Sequence, residues 1–149
     1  MSAPIDRAGW GPGPWDAELD SALWLDPATG LTCTAHRART SGTWSGYVQL
    51  PDEHPWCAAD ANDLVPQVRV HGGVTFVGVP LGQPIGGTWV GFDCAHFGDV
   101  MPALQARTQM GFAGMAAGPV EQYRDIAFVR EQCAQLAAQI VAASVDGAA

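Results

Sequence analysis

The sequence predicts an α+β fold: a small antiparallel sheet of four to five strands packed against a long C-terminal helix. Three observations lead there. Short runs of alternating or β-rich residues, separated by Gly and Pro, occupy the middle of the chain. A single strongly periodic apolar stripe lies near the C-terminus. The chain is 149 residues long and 48% hydrophobic, enough for one domain with a real core and hardly for two.

Residues 1–30 are rich in Gly, Pro and Trp, as in Trp10-Gly11-Pro12-Gly13-Pro14-Trp15 and Trp24-Leu25-Asp26-Pro27. Pro and Gly at that density oppose a long helix or a central strand. The expectation is an irregular N-terminal arm whose Trp rings cover part of the core, with room for one short helix in Asp16–Leu25. Residues 31–149 form the α+β domain proper.

Leu31–Arg37 alternates loosely, with Leu31, Cys33 and Ala35 on one face, and Trp44–Leu50 follows the turn-like Thr40-Ser41-Gly42. The two predict a hairpin that Pro51 ends. Residues 51–66 read as a Pro-containing loop with a helical turn at Ala58–Leu64. Gln67–His71 then runs through Gly72-Gly73 into Val74–Val79, and after a loop at 80–87 comes Thr88–Cys94. If the hairpin closes around residues 83–84, residue 79 pairs with 88 and His71 falls opposite His96; a slip by two residues or a bulge at the Gly pair still leaves both imidazoles near the same open end. A Gly pair inside a strand marks a bulge or a close approach of backbone or ligand.

Residues 100–118 are an irregular connector. Gly118-Pro119 offers a helix start with Pro in the first turn. Ile126, Val129, Cys133, Leu136, Ile140 and Ala143 recur at spacings of three and four, so the helix is expected over about 119–143. It packs on the sheet or pairs with a copy of itself, which makes a homo-oligomer through this helix one expected assembly.

Seven basic and fifteen acidic residues give a formal charge of −8. That argues against general nucleic-acid binding and against docking on an anionic membrane. No apolar run approaches the roughly 20 residues that span a bilayer. Met1–Arg7 carries no apolar signal core, so the cytoplasm is the expected compartment. Cys33, Cys57, Cys94 and Cys133 form no close pair, so neither a metal knuckle nor a disulfide framework is expected. Cys94, near Asp93 and His96, is the one cysteine with polar company.

The chemistry concentrates in His71, Thr75, Asp93, His96 and Asp99. Two imidazoles across a cleft make a general acid and base pair, because imidazole changes charge near neutral pH. Asp93 or Asp99 would hold an imidazole tautomer. Arg69 and Thr75, on the His71 face of an unbulged strand, would bind phosphate oxygens. Tyr47 and Trp89 would stack on a nucleobase, and His54 would reach the site from its loop. His36 reads as a surface strand residue. Asp93, His96 and Asp99 at three-residue spacing, with His71, also suit a divalent metal, although the spacing matches no specific metal signature; no resident cofactor is required.

Gly46-Tyr47-Val48, His54-Pro55, Val70-His71-Gly72-Gly73-Val74-Thr75-Phe76, the run Trp89-Val90-Gly91-Phe92-Asp93-Cys94-Ala95-His96-Phe97-Gly98-Asp99 and Tyr123-Arg124-Asp125 together resemble a family of small bacteriophage proteins, over about residues 43–140. The resemblance implies a phage accessory protein in the host bacterial cytoplasm, of a kind that blunts defences signalling through nucleotides. Two activities fit: a small phosphodiesterase cleaving a cyclic nucleotide through His71 and His96, or a non-catalytic sponge that sequesters a cyclic nucleotide or cyclic ADP-ribose-type signal. An acidic decoy binding a host protein is a third, weaker fit.

Overall fold

The computed structural model describes residues 5–7, 9–80, 86–96, 98–103 and 122–147. Five strands form one antiparallel sheet in the order β1-β2-β3-β5-β4. They are β1 (Ser21–Leu25), β2 (Thr32–Arg37), β3 (Trp44–Gln49), β4 (Phe76–Gly78) and β5 (Trp89–Asp93). A long helix lies across one face, so the fold is α+β as its sequence predicts.

The strand alternation decides which face the helix takes. Along β3, Trp44, Gly46 and Val48 are buried while Ser45, Tyr47 and Gln49 are half-buried. The buried set joins Cys33, Ala35, Val90 and Phe92 in the core. A Cβ on Gly46 would sit 3.0 Å from Val129 Cγ1, so the missing side chain lets the helix press onto β3.

The helix runs over Ile126–Gly147, later at both ends than 119–143. Pro119 lies outside the described residues, but 122–125 are not helical. Asp125 is the reason for the late start: its Oδ1 accepts from Phe128 N at 2.8 Å and caps the first turn. Val129, Cys133, Leu136 and Ile140 are wholly buried in this chain's own core. That stripe is therefore not available to pair with a second copy.

β1 replaces the short helix expected in Asp16–Leu25; only Pro14–Ala17 forms a 3-10 turn. Leu23 and Leu25 point outward while Trp24 turns inward, which hid the strand alternation behind apolar residues on both faces. The arm is thus part of the domain. Trp15 is buried and stands edge to face against Tyr123 at 5.2 Å.

A buried ionic cluster ties this arm to the helix. The Arg37 side chain has no exposed surface, and it bonds Glu18, Asp20, the Gly42 carbonyl and the Tyr123 hydroxyl. Glu18 in turn accepts from Tyr123 and, at 2.6 Å, from the Ile126 N–H at the helix start. Arg37 also lies over the Trp44 ring at 4.8 Å. Between β3 and β4, α1 (Ala61–Leu64) follows a 3-10 turn at Pro55–Ala58, matching the helical turn expected at Ala58–Leu64. No helix of the described residues is long and apolar enough to cross a membrane.

Candidate functional site

The hairpin register is as the sequence sets it: Phe76 opposite Gly91, Val77 opposite Val90 and Gly78 opposite Trp89. The strand itself is shorter. Gly72 and Gly73 both have left-handed backbone, at φ +69° and +86°, so residues 71–72 form a turn rather than a ladder. This turn, not strand pairing, brings His71 to His96. The His96 ring lies directly on Gly72, where a Cβ would come within 2.0 Å of Nε2.

The two imidazoles touch, ring centroids 5.5 Å apart and edge to face. They do not face each other across a cleft. His71 Nε2 donates to Asp99 Oδ2 at 2.9 Å. His71 N donates to Gln132 on the helix at 2.9 Å, and its ring stands edge to face on Phe128 at 5.1 Å. His96 Nε2 donates to the Asp93 carbonyl at 3.1 Å, and Asp93 Oδ1 lies 3.0 Å from the same nitrogen. Each ring is thus anchored through Nε2 by an aspartate. Neither Nδ1 makes a hydrogen bond among the described residues, so in the neutral ring that nitrogen carries the lone pair.

Asp99 is the hub, with 2% of its side chain exposed. It also accepts from His96 N at 3.1 Å and from Arg124 Nε at 2.9 Å. Burial alone would raise its carboxyl pKa, but the bonds from His71, Arg124 and His96 N outweigh this and hold it below the usual carboxylate range. A parallel bridge from Asp99 to Gln122 fixes the segment that carries Arg124. Arg124 lies over Phe128 at 4.7 Å. Its two terminal nitrogens make no hydrogen bond among the described residues.

The remaining expected site residues fall elsewhere. Arg69 is exposed and tied through its backbone to Gln139 at 2.8 Å. Thr75 is exposed and donates its N–H to Gly91. Residues 68–70 are not a strand and the glycine turn follows them, so no unbroken strand aligns either with His71. Tyr47 is half-buried on the sheet face away from the helix, edge to face with Phe76 at 5.6 Å. Burial raises its hydroxyl pKa, and the Asp93 charge adds to the effect. Trp89 is fully buried with Nε1 donating to Gly86, so its ring has no face for a ligand. His54 is buried too: Nδ1 accepts from Trp56 N at 3.0 Å and Nε2 donates to the Ile140 carbonyl at 2.7 Å. It is a structural joint between loop and helix. His36 is half-buried, and burial lowers its pKa.

Cys94 is buried, and its thiol is pushed up to about 12 by burial and by Asp99 and Asp93, which removes it as a nucleophile. Among the described residues no group of three His, Cys, Asp or Glu is placed to hold a metal ion. Arg124 is the residue that sequence reasoning missed. The signal was present, since it lies beside the helix start in the Tyr123-Arg124-Asp125 run, but nothing local tied it to Asp99.

No family model, curated protein or solved structure matches the chain.

Proposed function

We propose that this protein is a small phosphodiesterase that breaks a nucleotide phosphodiester by acid–base chemistry at His71 and His96. The observation that supports this reading is the double anchoring: two touching imidazoles, each held through Nε2 by an aspartate, with neither Nδ1 hydrogen-bonded among the described residues. One Nδ1 takes the proton of a ribose hydroxyl or a water. That oxygen bonds phosphorus, the bond to the leaving oxygen breaks, and the other imidazole, protonated, returns a proton to it. The terminal nitrogens of Arg124 bind the phosphate oxygens as charge grows on them. Asp99 and Asp93 keep the rings in one tautomer. The resemblance to small phage proteins directs the reading to a cyclic nucleotide signal of a bacterial host.

One observation favours sequestration instead. Tyr47 and Phe76 form an aromatic pair on the sheet face that also carries Asp93, the anchor of His96. A base stacked there is held without any proton transfer. One experiment separates the readings. The protein is incubated with cyclic dinucleotides and cyclic ADP-ribose isomers, denatured by heat, and the supernatant is analysed. A linear product, absent with His71→Ala and His96→Ala, supports the enzyme. Intact ligand recovered after tight binding supports the sponge. Neither binding nor cleavage removes both readings, and an EDTA control reports on metal dependence.

A further inference from the structure

β1 is an edge strand of the sheet. Its bonds to β2 fall on the even residues: Arg37 N donates to the Asp20 carbonyl and Asp26 N to the Leu31 carbonyl, both at 2.8 Å, and antiparallel ladders alternate. The N–H and C=O groups of Ser21, Leu23 and Leu25 therefore point off the sheet. Side chains at the same positions are exposed, Leu23 by 56% and Leu25 by 66%, with Leu19 just ahead at 81%. Natural edges are protected by charges, prolines or bulges. The strand Ser21-Ala22-Leu23-Trp24-Leu25 has none of these.

We propose that β1 is the contact strand of a symmetric dimer, in which a second copy of this chain lays its own β1 antiparallel on this edge. A two-fold axis at Leu23 satisfies every outward group. Leu23 faces Leu23 of the second copy, and Ser21 faces Leu25 in both directions. All three are hydrogen-bonded pairs, and the two leucines meet on one face. Identical strands are self-complementary in this register, which is why a second copy is the occupant. Like charges do not oppose it: Asp20 and Asp26 would come opposite, but Asp20 is neutralised by Arg7 and Arg37, and Asp26 is buried and bonded to Thr29. The contact does not depend on the proposed chemistry at His71 and His96.

Sedimentation velocity of the full chain over a range of concentrations tests this. The parent is expected to form dimers. Leu23→Pro removes an N–H that points away from β2, so the ladder within the subunit stays intact while the dimer is lost. Leu23→Lys adds like charges at the axis and also gives monomers. In a third variant, Leu23→Cys, the paired Cα atoms would lie about 5.5 Å apart, within disulfide reach. Mild oxidation should give a covalent dimer with Leu23→Cys and not with Leu19→Cys. A parent that stays monomeric at the highest concentration overturns the proposal. So does a dimer that survives Leu23→Lys, or equal cross-linking at positions 19 and 23. If Leu23→Pro fails to fold, the lysine and cysteine variants still decide.

Discussion

Gly72→Ala puts a methyl group where the His96 ring lies. The new Cβ would be 2.0 Å from Nε2 and 2.4 Å from Cδ2, whereas ordinary contact begins near 3.4 Å. The ring must therefore retreat by about 1.4 Å. Its bond to the Asp93 carbonyl, now 3.1 Å, does not survive such a move. A left-handed φ of +69° adds about 1–2 kcal/mol for any residue with a Cβ. The lost bond at a partly exposed site adds about 0.5–1.5 kcal/mol. The neighbour is the control. Gly73→Ala has the same backbone problem at φ +86°, but its Cβ meets nothing closer than 3.9 Å. Gly73→Ala should lose about 1–2 kcal/mol, a fall in Tm of about 2–8 °C. Gly72→Ala should lose about 1.5–3.5 kcal/mol and also shift the His96 ring signals in long-range 1H–15N NMR spectra. Denaturant unfolding and those spectra together measure both. Unchanged His96 signals in Gly72→Ala, or equal disturbance by Gly73→Ala, would refute the placement of the ring on this turn.

Asp99→Asn leaves His71 and Arg124 without their shared charge and should cost about 3 kcal/mol by urea unfolding. Because the folded carboxyl of Asp99 lies below its usual range, its contribution is full above about pH 4 and is lost as pH falls through the lowered value; an acid titration of stability should lose that step in Asp99→Asn. His54→Ala should lower stability by about 2–3 kcal/mol through two unmet buried partners while leaving any ligand binding intact, and a binding defect without a stability defect would return His54 to the site. In the native protein Cys57 should react with a thiol reagent before Cys94, whose thiol is buried and pushed up to about 12; rapid labelling of Cys94 by mass spectrometry would contradict that.

Much of the fold was legible because its signals are local. The spacing from Ile126 to Ala143 marks a helix face, and the β4–β5 register follows from counting residues across one hairpin. The site was legible only in part. His71 and His96 were placed together for the right register but through the wrong device, since a left-handed Gly pair ends the ladder before it reaches them. Arg69 and Thr75 were aligned with His71 by an unbroken strand that does not exist. Arg37 carried a signal that went unused: period two puts it with Cys33 and Ala35 on the buried face, and a buried guanidinium requires a buried acid. Glu18, 19 residues earlier, supplies it.

Composition, periodicity and turn residues by themselves determine the class of fold, the strand that carries Asp93, the helix stripe and the list of polar residues able to do chemistry. Tertiary structure alone decided that Glu18 and Tyr123, 105 residues apart, close one ionic cluster, and that Asp99 gathers His71, His96 and Arg124. The physical reason is range. Propensity and alternation act over a few residues, whereas a buried carboxylate recruits whatever donors the folded chain brings to it, from any distance in sequence.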